Sequence, residues 1–364
     1  MTTKILDVSD LNNEMLERAY VVGDEAAQAK VEAAITLVRE AGHALAGGSL
    51  VAFPTETVYG LGADAFNEDA VGRVYEAKGR PSDNPMICHI GRASDIGELS
   101  TMLNPKMIRL MDNFWPGPLT MIVTKRDDVP AVTTGGLDTV GVRLPDNPVA
   151  IELIRAAGCP IAAPSANLSG SPSPTDPKHV IEDLDGKVDY ILVGNKSDVG
   201  IESTVLDMTV TPPMILRPGV LTAEMLGAAV GEEVAYDAHL LYNDKEHASD
   251  ANGEIIAPKA PGMKYKHYAP NAQMIVVEGH RDKVKTEIER LKSLNEQLGQ
   301  KVGVLLFEED EYIRAAQEFY SRLRALDEDG GDLIIAGALS YKDGVGFAVM
   351  NRMMKSAGYN VVKV

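Results

Sequence analysis

The chain has 364 residues, with 53 acidic side chains against 35 basic ones and a formal net charge of −18. That length allows about two domains with separate cores, and 45% hydrophobic with 24% charged residues excludes wholesale disorder. Such acidity argues against a general binder of nucleic-acid backbone, which needs a basic face. The two cysteines, Cys88 and Cys159, make neither a CxxC pair nor a zinc spacing and read as reduced, buried thiols of a cytoplasmic protein. No apolar run approaches the ~18 residues of a membrane span. Asp7 and Asp10 stand where a signal peptide would be apolar.

Short strand-like runs broken by Pro and Gly dominate residues 1–231: SLVAFPT, PMICHIG, LTMIVTK, TVGVRLP, PIAAPSA, DYILVG, STVLDM and MILRPG. Helices fall between some of them. Asn67 caps one, with Val71, Val74 and Tyr75 on its apolar face, and Gly79 and Pro81 end it. Asn104 and Pro105 open a second, which Trp115-Pro116-Gly117-Pro118 stops. Asn147 and Pro148 open a third, with Val149, Ala150, Leu153, Ile154 and Ala157 inward and Gly158 as its stop. Strands and helices do not alternate strictly, so the expected fold is α/β with a twisted mixed sheet and helices on its outer side.

Residues 232–270 read as a linker. Its first part, Glu232 to Ala257, is acidic, with Lys245 as the lone Lys or Arg. Its end, APGMKYKHYAP from Ala260 to Pro270, is basic and aromatic, which a plain tether does not need. Over residues 271–364 the strands MIVVEG, VGVLLF and DLIIAG alternate with helices at Arg281–Leu298, Tyr312–Leu326 and Gly346–Ala357. This alternation predicts a second, smaller, Rossmann-like domain with a parallel sheet.

The chemistry concentrates at strand ends, where open sheets place ligands. Pro54-Thr55-Glu56-Thr57 follows the first run with hydroxyls and a carboxylate. Gly60-Leu61-Gly62 has the form G-x-G-x-x-A, but a second strand and a ribose-binding acid are missing, so a tight turn is the expectation. Lys78-Gly79-Arg80 is read as an extended K-x-R with both cations on one side, able to grip one polyanion. Asn84 and His89 follow closely. Ser165 and Asn167 end the PIAA run as a neutral S-x-N, and Ser171 to Thr175 continues as a stiff, hydroxyl-lined loop. Thr139 and Arg143 are four apart on one strand face. Arg217 stands beside Pro218 and Gly219, after Gly200-Ile201-Glu202-Ser203-Thr204. Arginine offers a bidentate fork to phosphate or carboxylate. These cations in an acidic chain point to a small polyanion such as a nucleoside triphosphate.

Taken together, FPTETVYGLGADAF, K-x-RPSDNP, WPGPLT, GVRLP, APSANLSGSPSPT, GIESTV, LRPG and APGMKYKHYAP resemble the YrdC-like L-threonylcarbamoyladenylate synthases in their long, two-domain form. The motifs are co-linear and cover the large block and the linker. The resemblance implies a nucleotidyltransferase that joins L-threonine, bicarbonate or CO2, and ATP into threonylcarbamoyl-AMP and releases pyrophosphate. A downstream transferase complex then modifies tRNA next to the anticodon, so little direct tRNA binding is expected of this chain.

By the same match the K-x-R and S-x-N signature falls on Lys78, Arg80, Ser165 and Asn167 as the catalytic set. The threonine pocket falls on Thr57, His89, Arg143, Ala163 and Ser203. The ATP contacts fall on Arg80, Asn84, Thr139, Ser165, Ser173, Arg217 and, from the linker, Tyr265. Mg2+ is expected to be held mainly by the ATP phosphates, with no dedicated protein site. His89 is a candidate base for carboxylation of the amine. The linker motif is expected to close over the site and keep water from a labile adenylate. Two other readings stand beside this one. A double-stranded RNA or tRNA binding module, which a basic concave surface could support, would show steep salt dependence of affinity. A carbamoyl transferase of hydrogenase maturation would need an acylphosphatase-like domain and zinc fingers, for which two cysteines are too few.

Overall fold

The computed structural model describes residues 2–241, 268–308, 310–339 and 344–364. All eight strand-like runs of the large block form strands: Val51–Phe53, Ile87–His89, Leu119–Thr124, Thr139–Arg143, Ile161–Ala162, Tyr190–Val193, Thr204–Asp207 and Met214–Arg217. With Lys4–Asp7, Gly60–Asp64 and Ala235–Tyr236 they build one 11-stranded sheet. Parallel and antiparallel pairs mix within it. Val51–Phe53 runs antiparallel to Gly60–Asp64 and parallel to Tyr190–Val193.

Gly60-Leu61-Gly62 is therefore strand and not the tight turn expected. The glycines serve packing. A Cβ on Gly62 would stand 2.6 Å from Ile161 Cγ2 and 2.9 Å from Phe53 Cε1, so only hydrogen lets the strand lie against that ring.

The capped helices form as their sequences dictate. Asn67, Asn104 and Asn147 each accept from backbone N–H groups of their first turns, and Gly158 closes its helix in the left-handed region. A helix not anticipated from sequence, Glu25–Ala46, is capped by Asp24 and packs on Pro148–Ala157. The approach is close: a Cβ on Gly42 would sit 2.6 Å from Ala156 Cβ.

Residues 273–363 form the second sheet, with strands Gln273–Glu278, Val302–Leu305, Leu333–Gly337 and Val361–Lys363, every pair parallel. Helices Arg281–Gln297, Tyr312–Glu328 and Gly344–Ser356 cover it. The two sheets share a core. Val58 and Ile201 of the large block pack in one cluster with Tyr268, Phe319, Tyr320 and Leu323. Each large side chain buried there contributes about 1.5–3 kcal/mol. Gly200, at φ +80°, is a close approach in this seam, because its Cβ would lie 2.4 Å from the Ala316 carbonyl oxygen.

Among the described residues no helix is long and apolar enough to cross a membrane. Cys88 is buried and Cys159 only partly so; burial pushes both thiols up to about 12.

Candidate active site

The strand ends Phe53, His89, Arg143 and Arg217 open toward one pocket. Its walls include Thr57, Arg80, His89, Arg143, Ser165 and Arg217, with Ala163 and Ser203. The enclosed space is about 60 Å³, and about 580 Å³ with the open solvent at its mouth.

Arg143 ends its strand 4% exposed. Its Nη1 donates to Thr57 Oγ1 at 2.8 Å and its Nε to the Gly117 carbonyl at 3.3 Å. Its Nη2 lies 2.6 Å from Glu56 Oε2, yet neither Glu56 oxygen has an aligned hydrogen-bond donor among the described residues. The guanidinium is thus fixed on two sides and only loosely matched on the third. Thr57 is held in turn by Thr55, whose Oγ1 is 2.9 Å from its own.

His89 is 4% exposed, its Nδ1 3.2 Å from the Ile87 carbonyl oxygen and its ring edge-on to Phe53. Burial, then the nearby Arg143 charge, pulls it down to about 3, so it is neutral at physiological pH. Ser203 Oγ pairs with Thr120 Oγ1 at 2.8 Å and accepts from Arg217 Nη2 at 3.0 Å. Arg217 also donates through Nε to the Ser203 carbonyl.

The K-x-R is not extended. Lys78 is the last residue of the helix Glu68–Lys78, and Gly79 turns left-handed after it at φ 62°. Lys78 and Arg80 therefore diverge. Lys78, 3% exposed, donates to the Ser165 and Asn167 carbonyls and so ties the S-x-N turn from behind. Desolvation and the adjacent Arg80 hold its ammonium well below the ordinary lysine range. Arg80 lines the pocket, donating to the Asn84 and Pro85 carbonyls at 3.2 and 2.9 Å. Within the S-x-N, Ser165 Oγ donates to Asn167 Oδ1 at 2.5 Å, and Asn167 Nδ2 donates to the Leu168 and Ser171 carbonyls.

Three of the expected nucleotide contacts stand off the pocket wall. Thr139 begins the strand that Arg143 ends, about 13 Å away at strand rise. Ser173 is fully buried and donates to Glu202 Oε1 at 2.6 Å. Asn84 is 1% exposed and its side-chain amide has no partner among the described residues. Tyr265 and the linker up to residue 267 lie outside the described residues, whereas Tyr268 lines the pocket, buried. Sequence reasoning missed Glu202 as a wall residue and Glu56 as the ion partner of Arg143; both sit inside motifs it quoted. Among the described residues no three His, Cys, Asp or Glu side chains converge as a metal site.

The chain as a whole is similar to known proteins. A family model for Sua5/YciO/YrdC, described as telomere recombination, matches residues 43–219. A second, the threonylcarbamoyl-AMP synthase C-terminal domain, matches residues 221–358. A threonylcarbamoyl-AMP synthase of Pyrococcus abyssi is 45% identical over 92% of this chain and 96% of its own length. One of Bacillus subtilis is 44% identical over 90% and 94%. The crystal structure of P. abyssi Sua5 complexed with L-threonine superposes with a TM-score of 0.83, at 44% identity over 90% of this chain and 96% of that one. With its two domains, its pocket and these relatives, the chain belongs to the threonylcarbamoyl-AMP synthase family of nucleotidyltransferase enzymes.

Proposed function

We propose that this chain condenses L-threonine, bicarbonate or CO2, and ATP into L-threonylcarbamoyl-AMP and releases pyrophosphate. The observation that carries the reading is one pocket holding both Arg143, braced by Thr57, and the pair Arg80 and Arg217. The first suits a carboxylate and the second a phosphate chain. The solved relative complexed with L-threonine supports threonine as the amino acid.

In this reading Arg143 takes the threonine carboxylate, and Thr57, His89, Ala163 and Ser203 surround the rest of the amino acid. The threonine nitrogen, once deprotonated, attacks the carbon of CO2, gives up a second N–H proton to bicarbonate or solvent and becomes a carbamate. A carbamate oxygen then attacks the α-phosphorus while the bond to the bridging oxygen breaks and pyrophosphate leaves with the electron pair. Such a step needs alignment and charge stabilisation and no protein nucleophile. With its conjugate acid near 3, His89 is too weak a base to take the ammonium proton at neutral pH. It serves as a neutral polar wall, and the proton leaves to bicarbonate or solvent.

Lys78 shapes the Ser165–Asn167 turn that meets the phosphates, and Asn84, Thr139, Ser173 and Tyr265 complete the nucleotide side as the chain closes. Mg2+ would be held mainly by the ATP phosphates, whose negative charge it would offset. Residues 258–270 cover the site and exclude water. The product passes in the cytoplasm to a transferase complex that modifies tRNA next to the anticodon.

The test is incubation with ATP, bicarbonate and each amino acid in turn. Threonine-dependent pyrophosphate release with a threonylcarbamoyl adenylate is expected, and the variant K78A/R80A should abolish it. Release indifferent to the amino acid would refute the reading.

A further inference from the structure

The pocket wall contains a carboxylate that a triphosphate should not tolerate. Glu202 is 6% exposed and lines the pocket, where its negative charge would face the phosphates. Residues of the C-terminal block hold it. Arg352, fully buried, donates from Nε to Glu202 Oε2 at 3.1 Å. The same guanidinium donates to the carbonyls of Pro218 and Ala348, which fixes its plane. Tyr320, also fully buried, donates its hydroxyl to the carboxylate at 3.0 Å. On the catalytic side the carboxylate accepts from Ser173 Oγ. Burial alone would raise the Glu202 carboxyl, but Arg352 and then Arg217 outweigh it and hold the group below its usual range. The carboxylate therefore stays ionised, and its charge is cancelled from a helix 150 residues away in sequence.

We propose that Arg352 and Tyr320 are positioning residues for the nucleotide side of the site. They neutralise and orient Glu202, so that it holds Ser173 in place without repelling the triphosphate. The inference rests on ATP being the nucleotide substrate. It makes the C-terminal block part of the working site, beyond any contribution to stability. Removing Arg352 takes away the ion partner of the carboxylate and leaves more of its negative charge facing the phosphates; removing both charges takes that repulsion away.

The experiment uses the full chain and reads KM for ATP and for threonine separately. Arg352→Met is expected to raise KM for ATP about tenfold, with KM for threonine moved by less than about twofold. The double variant E202Q/R352M is expected to return KM for ATP to within about threefold of the unmodified chain. Tyr320→Phe, which removes one donor and leaves the ion pair intact, is expected to raise KM for ATP about threefold and decides the matter should Arg352→Met fail to fold. Arg314→Ala, on the same helix as Tyr320 but 56% exposed, is expected to change nothing. An unchanged KM for ATP in Arg352→Met or Tyr320→Phe, or a double variant as impaired as Arg352→Met, overturns the inference. If the unmodified chain forms no adenylate from ATP, the functional reading fails first, and the two failures are distinguished.

Discussion

Arg143 offers the sharpest separation of binding from folding. It and Glu56 are 4% and 8% exposed at the side chain and 2.6 Å apart. Replacing Arg143 by Met leaves Glu56 as an isolated buried charge, and its oxygens already lack aligned donors among the described residues. Breaking one side of such a pair costs about 3–5 kcal/mol, which for a unit of this size lowers the unfolding midpoint by roughly 6–20 °C. In the proposed reading the same variant also loses the grip on the substrate carboxylate, a charge-assisted contact of about 1.5–3 kcal/mol, and is expected to raise KM for threonine roughly 10- to 150-fold. Adding Glu56→Gln removes the stranded charge. E56Q/R143M is therefore expected to recover most of the stability and none of the threonine affinity. Thermal unfolding by circular dichroism and threonine-dependent pyrophosphate release read the two effects independently. If the double variant regains activity along with stability, Arg143 is a structural ion-pair member, and the carboxylate-grip argument is wrong.

Three further outcomes follow from the geometry. The unfolded His89 imidazole takes a proton near 6.5 and the folded one only near 3, so acid favours unfolding. Its contribution is a loss of about 3 kcal/mol between pH 6.5 and pH 4, and His89→Asn should flatten that part of the stability profile in acid titrations followed by circular dichroism. Gly62→Ala drives a Cβ to 2.6 Å from Ile161 and should destabilise by about 1–3 kcal/mol, seen as a lower unfolding midpoint. Deleting residues 258–270 removes Tyr268 from the pocket wall and should cut pyrophosphate release at least about tenfold; unchanged release would remove the covering role.

What the sequence disclosed follows the range of the forces involved. Strands and capped helices are local matters, settled by runs of apolar residues and by a single Asn, so all eight strand-like runs and all three Asn caps appear in the structure. Gly60–Asp64 escaped because glycine carries no strand propensity. The reason for those glycines is the Phe53 ring beside them, a partner that no window over residues 60–64 contains. Lys78 and Arg80 escaped differently. Sequence alone allowed an extended K-x-R, whereas the left-handed Gly79 sends Lys78 to the carbonyls of a loop 87 and 89 residues on and leaves Arg80 to face the pocket.

Glu202 shows the limit most clearly, and also why it matters. Next to Ser203 and Thr204 it reads as one more polar residue in a loop, and a lone acid near a phosphate pocket looks like an error. Its meaning depends on Arg352 and Tyr320, which reach it from helices packed on a separate sheet. Their helices, Gly344–Ser356 and Tyr312–Glu328, show in sequence only an ordinary 3.6-residue apolar period. Nothing in that period distinguishes a buried arginine aimed at a partner 150 residues away from a solvated one. The charge becomes intelligible only when the two sheets are docked. In the proposed reading, the docking seam at Gly200, Ile201 and Phe319 is the feature on which the nucleotide side of the pocket depends. A domain that sequence could read as an appendage supplies a buried counter-charge to Glu202.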